Sequence, residues 1–209
     1  MRTMISEPAR DCPLCPRLVA FRHKARDQHP EWFNAPVPSF GDHNGSLLIV
    51  GLAPGLNGAN RTGRPFTGDF AGDLLYQTLI EFGLAKGRYG ARPDDGLVLV
   101  GCLISYAVFC LKKKNKPTPA EVKNCRPFLA GVIETMPNLT SILALGRIAH
   151  EAVLRTLEAP PSHHTFGHGA IHHLERVRLI DSYHYSRYNT NTGRLTRAMF
   201  HEAIAAAAA

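Results

Sequence analysis

Four runs of apolar residues divide the chain into candidate strands and the segments between them. The runs cover residues 47–50, 97–108, 142–145 and 177–180, and each is followed by polar or glycine-rich sequence. A strand with one face in water alternates apolar and polar residues, whereas these runs are almost continuously apolar. The pattern therefore predicts four strands buried on both faces of one sheet.

Helical periodicity fills the segments between these runs. Apolar residues recur at helical spacing in 18–24, 73–82, 119–129, 148–157 and a last segment from 195. Thr118 is a suitable N-cap and Pro119 a suitable first-turn residue for the third of these helices. Strands that alternate with helices are typical of a parallel sheet with helices on both faces. We therefore predict a single α/β domain over residues 1–209, with an irregular N-terminal segment over 1–45.

Two loops that follow predicted strands concentrate the polar chemistry. They cover residues 51–73 and 182–194, at the carboxyl ends of their strands, where open α/β sheets bind ligands. The first loop contains a carboxylate, an aromatic ring and two guanidinium groups, from Asp69, Phe66, Arg61 and Arg64. It lacks the glycine patterns of nucleotide-phosphate and dinucleotide sites. The residues alone allow either a binding loop or a surface turn in which Asp69 caps the next helix.

The balance of charge is basic, with a formal net charge of +7 over 209 residues. A basic surface favours a polyanionic partner, because each phosphate that it neutralises releases counterions, although many basic domains bind none. No apolar run approaches the roughly 18 residues of a membrane span, and the N-terminus lacks the apolar core of a secretory signal. We therefore expect a globular, cytoplasmic protein.

The five cysteines favour a metal site over a disulfide framework, since their number is odd and no secretory signal is evident. Cys12 and Cys15 have the two-residue spacing found in zinc and iron–sulfur sites. Cys110 and Cys125 follow at a predicted strand end and in the next helix, whereas apolar neighbours make Cys102 a candidate core thiol. The spacing leaves zinc, an iron–sulfur cluster and unrelated core thiols open.

Three segments of the chain resemble the family 5, or type B, uracil-DNA glycosylases. Residues 51–69, from Gly-Leu-Ala-Pro-Gly to Arg-Thr-Gly-Arg-Pro-Phe-Thr-Gly-Asp, resemble the first motif of that family. Residues 182–196, Ser-Tyr-His-Tyr-Ser-Arg-Tyr-Asn-Thr-Asn-Thr-Gly-Arg-Leu-Thr, resemble its last motif. Asn-Lys-Pro-Thr-Pro at 115–119 and Cys-Arg-Pro-Phe-Leu at 125–129 match a cluster-binding segment shared with family 4. The order and spacing of the segments are kept.

The resemblance implies a fold, a cofactor and a partner. The implied fold is a three-layer α/β/α sandwich around a four-stranded parallel sheet. The implied cofactor is a structural [4Fe–4S] cluster bound by Cys12, Cys15, Cys110 and Cys125, with Cys102 outside it. The implied partner is DNA that contains uracil or another deaminated base, bound by a monomeric enzyme of base excision repair.

The resemblance also implies residue roles in hydrolysis of an N-glycosidic bond. A base in a duplex must be flipped into a pocket, and positive charge then builds on the sugar as negative charge builds on the base. Asp69 matches the carboxylate that stabilises the sugar and orients water, and His184 matches the donor to the base oxygen. The matched base pocket comprises Gly51, Ala53, Phe66 (the stacking ring), Tyr106 and Asn115. The matched DNA contacts are Arg61, Arg64, Arg187 and Asn189.

Two positions depart from the related patterns. Family 4 has an asparagine four residues before its third cluster cysteine, where this chain has Tyr106, and a phenol lacks the paired donor and acceptor of an amide. Strict selectivity for uracil is therefore in question, and hypoxanthine and xanthine become candidate substrates. Lysines occupy 112–114, where relatives often have prolines, which suits either binding to the DNA backbone or a solvated loop.

Two other functions remain open on the sequence alone. In the first, Tyr106 fills the base site, and the protein binds damaged or single-stranded DNA without cleaving it. The second is an iron–sulfur redox protein, although the sequence has no flavin or nicotinamide motif. A Schiff-base lyase is not indicated, because no lysine stands at a motif position.

Overall fold

The computed structural model describes residues 7–111 and 116–209, and for residues 187 and 188 it describes the backbone alone. The strands of this part are β1 (Phe40–Gly41), β2 (Leu47–Gly51), β3 (Ala85–Lys86), β4 (Val98–Leu99), β5 (Cys102–Tyr106), β6 (Ser141–Leu145), β7 (Ile171–His173) and β8 (Arg178–Ser182). Its α-helices are α1 (Pro16–Gln28), α2 (Ala59–Thr62), α3 (Phe70–Glu81), α4 (Pro119–Glu134), α5 (Arg147–Thr156), α6 (Arg187–Asn191) and α7 (Arg197–Ala208). None of these helices is both long enough and apolar enough to span a membrane.

The central sheet has six strands in the order β1-β5-β2-β6-β8-β7. Its four inner strands are parallel and come from the four apolar runs of the sequence. β1 and β7 add antiparallel edges, so the prediction of a four-stranded, purely parallel sheet was wrong in strand number and direction. These edge strands have two and three residues, too few for hydrophobic periodicity to reveal them.

The second apolar run forms two strands instead of the one that the sequence predicted. Gly101 separates β4 from β5 and has a φ of 69°, in the left-handed region that favours glycine. β4 pairs with β3 in a separate two-stranded sheet, while β5 joins the central sheet between β1 and β2. One apolar run therefore contributes to two sheets.

Helices cover both faces of the central sheet, as the sequence predicted. On one face, Leu47 of β2 packs in a cluster with Leu75 of α3 and Phe200 of α7. On the other face, Leu48 of β2 packs in a cluster with Val153 of α5. Successive residues of an inner strand thus face different helical layers, which explains why the strand sequence is apolar throughout.

The N-terminal segment is more regular than the sequence predicted, because α1 extends over Pro16–Gln28. The first turn of this helix is joined to the first turn of α4. Thr118 and Glu121 form a capping box at the start of α4, which confirms Thr118 as its N-cap. The carboxylate of Glu121 also accepts from Arg17 Nε of α1 at 2.8 Å. This junction brings the cysteines at the start of α1 near those around α4.

Candidate active site and candidate cluster site

A cleft of about 620 Å³ opens at the carboxyl ends of three inner strands. Its lining includes Leu52 after β2, Gly146 and Arg147 after β6, and Tyr183 and His184 after β8. Open α/β sheets bind their ligands at this edge. The two loops that carry the predicted chemistry therefore begin at the edge of the sheet where the cleft lies.

His184 lies in the loop after β8, and its backbone carbonyl is held by two donors. Asn189 Nδ2 donates to this carbonyl at 2.8 Å, and the Ser186 backbone N–H donates to it at 2.8 Å. Ser186 Oγ in turn accepts from the Asn189 backbone N–H at 3.1 Å. Asn189, which the resemblance placed at DNA, thus also shapes the loop that presents the imidazole of His184 to the cleft.

Asp69 begins α3 as its N-cap, with Oδ1 accepting from the Gly72 N–H at 3.1 Å. Its other oxygen, Oδ2, lies against the loop that follows β2. A Cβ added at Gly58 would be 2.5 Å from Oδ2, and a Cβ added at Gly55 would be 3.6 Å from it. Glycine at 58 therefore lets the carboxylate approach the backbone closely. Asp69 is not among the described residues that line the cleft. It belongs to the same loop as Leu52, which lines the cleft.

Phe66 and Tyr106 form an aromatic pair beside the end of β2, with ring centroids 5.4 Å apart. Both side chains are buried, with 4% and 2% of their surface exposed. The Tyr106 hydroxyl accepts from the Phe66 backbone N–H at 3.1 Å, and Phe66 has a φ of 49°, a strained conformation that such a contact supports. Gly51 leaves the room, since a Cβ there would be 2.6 Å from the Phe66 ring. Tyr106 therefore braces the Phe66 loop.

Four cysteines meet where α1, α4 and the end of β5 come together. Cys15, Cys110 and Cys125 are buried in one cluster that also contains Ala53, and Cys12 is half-buried. Burial is the main reason why the pKa of Cys110 is raised to about 11; Arg22 acts to lower this pKa, and the nearby Cys12 and Cys15 act to raise it. The four residues that the resemblance named as ligands are thus neighbours. Ala53, expected in the base pocket, packs against them.

Hydrogen-bond donors surround these sulfur atoms. Arg22 is buried, with Nη1 3.8 Å from Cys110 Sγ and Nη2 donating to the Cys12 carbonyl at 3.1 Å. Arg22 Nε has no hydrogen-bond partner among the described residues. Asn124 Nδ2 lies 3.6 Å from Cys15 Sγ. A buried cation and an amide beside sulfur suit anionic thiolates, whose charge needs such donors.

The four sulfur atoms are not arranged at the close spacing of ligands around one zinc ion. Four thiolates at about 2.3 Å from one zinc ion would lie about 3.8 Å apart. Of the described residues, only a histidine–aspartate group elsewhere brings three potential ligand atoms within 4.8 Å of one another. The cysteine sulfur atoms lack that close spacing, and the metal that they were expected to bind stays a prediction. Cys102 is fully buried in the core on the other side of the sheet, where its Sγ donates to the Leu84 carbonyl at 3.4 Å.

Comparison with known proteins decides the family. Residues 38–208 match the family described as the Uracil DNA glycosylase superfamily. The chain belongs to this superfamily. A Type-5 uracil-DNA glycosylase of Thermus thermophilus is 46% identical over 200 residues, which cover 92% of this chain and 90% of the relative. Relatives of the same name from Pyrobaculum aerophilum and Mycobacterium tuberculosis are 39% and 40% identical, covering 95% and 90% of this chain and 88% and 74% of their own lengths. The resemblance inferred from the motifs is confirmed.

Arg64 of this glycosylase-family chain is an interior residue. Only 4% of its surface is exposed, and its Nη1 and Nη2 donate to the two carboxylate oxygens of Asp95 at 2.8 and 2.7 Å. The guanidinium also lies over the rings of Phe40, Tyr76 and Tyr89. The cation is thus already paired and shielded, and the DNA contact expected of Arg64 stays a prediction that this arrangement does not support.

The remaining DNA contacts suggested by the superfamily motifs stay predictions. Arg61 is exposed, and its Nε donates to the Asn57 carbonyl at 3.0 Å, which orients the side chain on the loop surface. Asn115, the lysines at 112–114 and the side chain of Arg187 lie outside the described residues. The roles of Asp69 and His184 in the reaction also stay predictions.

Sequence reasoning missed three cations that line the cleft of this superfamily member: Lys116, Arg147 and Arg194. The Arg194 guanidinium lies 4.7 Å from the centre of the Tyr183 ring, and that of Arg147 lies 5.5 Å from the centre of the Phe166 ring. Stacking holds a guanidinium in place while its N–H groups remain available to an anion. Arg147 stands two residues after the end of β6, a position at the ligand-binding edge that could have revealed it.

Asp95→Asn is expected to destabilise the protein at neutral pH by about 3–5 kcal/mol, because it leaves the buried Arg64 cation without its partner. The Arg64 guanidinium holds the pKa of Asp95 far below its usual range. The pair therefore stabilises the fold above about pH 4, and this contribution is lost as the pH falls further. Urea unfolding should show that wild type has the higher free energy of unfolding at pH 7, and that its difference from Asp95→Asn is smaller at pH 3.

Asp94→Asn is the matched control for this measurement. Asp94 pairs with Arg92 at the surface, where the two side chains are 75% and 70% exposed. Such pairs contribute little, so we expect a change within about 0.5 kcal/mol. Equal stability of Asp95→Asn and Asp94→Asn at pH 7 would contradict the role given to Arg64.

Proposed function

We propose that this protein is a monofunctional DNA glycosylase that removes uracil from DNA by hydrolysis of the N-glycosidic bond. The observation that carries the proposal is a cationic cleft at the carboxyl edge of the sheet, with His184 in its lining and the Asp69 loop beside it. Membership of the superfamily and the names of the type-5 relatives support the same activity. DNA is the corresponding partner, and we propose that a single cytoplasmic copy acts on it.

The proposed reaction uses water as the nucleophile. As the bond to the flipped base lengthens, the negative charge of Asp69 offsets the positive charge that develops on the sugar and orients the water. His184 donates to the base oxygen on which negative charge accumulates. Both interactions strengthen as the bond breaks, so both act on the transition state more than on the bound substrate. Oδ1 of Asp69 is tied to the Gly72 N–H, which restricts the direction in which the carboxylate can point.

The proposed substrates include hypoxanthine and xanthine as well as uracil. The phenol of Tyr106 is buried, and its oxygen already accepts from the Phe66 backbone. Tyr106 therefore does not present the paired donor and acceptor that would select a uracil edge. We expect other groups of the pocket to select the base, through features that deaminated bases share.

A panel of oligonucleotides tests the proposed function. Uracil, hypoxanthine, xanthine and thymine are placed in turn opposite guanine, and the free base and the abasic site are both quantified. Release of uracil without strand cleavage is the expected result, with hypoxanthine and xanthine released and thymine retained. Tight binding of the uracil duplex without release of the base would favour the alternative of a non-catalytic module that binds damaged DNA.

We further propose that Cys12, Cys15, Cys110 and Cys125 hold a [4Fe–4S] cluster. When bound, the cluster supplies a structural cross-link between α1, the end of β5 and α4. Arg22 and Asn124 contribute donors that offset the charge of the thiolates. Lys116 of the cleft lies between Cys110 and Cys125 in the chain, so a bound cluster would hold the residues on both sides of this cation.

Replacement of Arg147 and Arg194 by alanine is expected to weaken binding of all DNA sequences alike. Each phosphate contact contributes a slope of about −0.9 to the dependence of log K on log salt concentration, so loss of both should reduce the slope by about 2. The measurement is fluorescence anisotropy with uracil-containing and undamaged duplexes, at salt concentrations from roughly 50 to 200 mM. Arg155→Ala, on the last turn of α5, is the control. An unchanged slope in the double variant would show that these residues do not contact phosphate.

A further inference from the structure

Three side chains from different elements converge behind one wall of the cleft. His150 belongs to α5, His172 to β7 and Asp181 to β8. His150 Nδ1 lies 2.7 Å from Asp181 Oδ1, and His172 Nε2 lies 3.0 Å from Asp181 Oδ2. Each residue offers one ligand atom, and these atoms lie within 4.8 Å of one another. Among the described residues this is the one group of histidine, cysteine, aspartate or glutamate side chains with that property.

The hydrogen bonds of His150 require a cation in this group. Its Nε2 faces the carbonyl oxygen of His164 at 2.9 Å, so Nε2 must be the protonated nitrogen that donates. On a neutral ring Nδ1 then carries a lone pair, and this lone pair faces the carboxylate of Asp181. Two acceptors cannot rest 2.7 Å apart unless a proton or a metal ion lies between them. The carbonyl that fixes the tautomer is the outer contact that metal-binding histidines ordinarily make.

The surroundings favour a metal ion and offer it a path of entry. Asp181 is fully buried and the side chain of His172 is 11% exposed, so the group opens to solvent through His172. The ring of His164 lies 5.5 Å from that of His172, and His164 also lines a surface cavity of about 280 Å³. The same cavity is lined by His173, by the carboxylates of Glu158 and Glu175, which attract cations, and by Arg176. His164 thus lies between this cavity and the buried group.

We propose that His150, His172 and Asp181 bind one divalent transition-metal ion of the zinc type. Two imidazoles and one carboxylate form a ligand set that zinc uses at sites with a fourth, exchangeable position, and that calcium and magnesium do not prefer. Bonds of about 2.0–2.1 Å from a metal ion place tetrahedral ligands about 3.3 Å apart. When the ion replaces the proton, the distance between His150 Nδ1 and Asp181 Oδ1 should therefore increase by about 0.6 Å. His164 or water completes the coordination.

The bound ion would brace the wall of the cleft. It links α5, β7 and β8, and Asp181 precedes His184 by three residues in the chain. The ring of Phe166, which lines the cleft, lies 5.6 Å from the ring of His150. This site is separate from the cysteines and does not depend on the proposed glycosylase activity.

Metal binding is tested on the intact protein with its iron content measured in every sample. After dialysis against a chelator, the protein is titrated with Zn²⁺ by calorimetry and with Co²⁺ by visible absorption. We expect one equivalent to bind at micromolar or lower concentration, with cobalt absorption of nitrogen and oxygen ligands and without the intense sulfur-to-cobalt bands that cysteine ligation produces. At about a hundredfold excess of Zn²⁺ over Kd, the Tm should rise by on the order of 5–10 °C.

His172→Gln and Asp181→Asn are expected to weaken Zn²⁺ binding about a hundredfold, with unchanged iron content. His43→Gln is the control, because this exposed histidine lies outside the three ligands and outside the cavity that leads to them. His172 reaches the surface, so its replacement decides the question even if Asp181→Asn fails to fold. The proposal is overturned if wild type binds no equivalent of Zn²⁺ or Co²⁺, which would identify the cation as a proton. It is also overturned if His43→Gln weakens binding as much as His172→Gln does.

Discussion

Asp69→Asn is expected to slow release of uracil by about 10²–10³ in single-turnover experiments while DNA affinity stays near native. Asparagine keeps the size of the side chain and is as good an N-cap as aspartate, so the start of α3 should be preserved. The substitution removes the negative charge, whose benefit grows as positive charge develops on the sugar. A loss of about 3–4 kcal/mol should therefore appear in the chemical step and not in binding.

Two further variants separate the charge of Asp69 from its position. Gly58→Ala keeps the carboxylate but places a Cβ 2.5 Å from its Oδ2, so the carboxylate must move. We expect a slower reaction from this displacement, and a near-native rate from Asp73→Asn, an exposed residue in the first turn of α3. The measurement is a single-turnover time course with enzyme in excess, beside a binding titration on the same duplex. A native rate for Asp69→Asn would leave Asp69 as a helix cap alone and make Asp73 the carboxylate to test.

His184→Ala should reduce the same rate by a similar factor, through loss of the donor to the leaving base. The control for disturbance of the loop is Asn189→Ala, which removes the side chain that donates to the His184 carbonyl at 2.8 Å. If His184 acts on the leaving base, His184→Ala should slow release of a poor leaving base more than release of a good one. Equal slowing for all bases would indicate a role in shaping the loop only.

The inner strands could be predicted because each is an almost continuous run of apolar residues, the pattern of a strand that is buried on both faces. Every residue of β2 is buried, and the uninterrupted apolar sequence of this strand indicates that burial without knowledge of the fold. The edge strand β7 has alternating exposure over three residues, and its pairing with β8 depends on a turn that periodicity does not describe. The sequence therefore predicted the centre of the sheet and missed its edges.

The environment of individual site residues was harder to predict than their positions. Arg64 and Asp95 are 31 residues apart in the chain, and nothing near Arg64 indicates that the loop turns its side chain inward. His150 and Asp181 are also 31 residues apart and meet only because α5 packs beside β8. Asp69 and His184 stand in motifs that follow inner parallel strands, which is why both were expected at one edge of the sheet; of the two, His184 lines the cleft there. Long-range pairing is what single-sequence reasoning lacks.

The cysteine site leads to the second prediction of large effect. Protein purified without oxygen should be brown, with broad visible absorption and about four iron ions per chain. Cys110→Ser should lose this absorption, because a serine hydroxyl is a poor ligand for iron compared with a thiolate. The cluster would cross-link α1, the end of β5 and α4, so its loss should lower the Tm by on the order of 10 °C or more.

Cys102→Ser is the matched control, since Cys102 is equally a buried cysteine of the same strand region but packs on the other side of the sheet. A serine there can keep the hydrogen bond to the Leu84 carbonyl, and absorption and iron content should remain those of wild type. Stoichiometric zinc without iron in the anaerobic protein would contradict the cluster. Retention of the cluster in Cys110→Ser would remove Cys110 from the ligand set.

The position of the cysteines predicts a second consequence of losing the cluster. Lys116 follows Cys110 by six residues and lines the cleft, and Cys125 fixes the other end of this segment in α4. Without the cross-link the segment loses its anchor at β5, so Cys110→Ser should weaken DNA binding and reduce its salt dependence. Lys116→Ala should reproduce the weaker binding with the absorption intact. If Cys110→Ser lost its absorption but bound DNA with native affinity and salt dependence, the cluster would stabilise the fold without shaping the DNA-binding cleft.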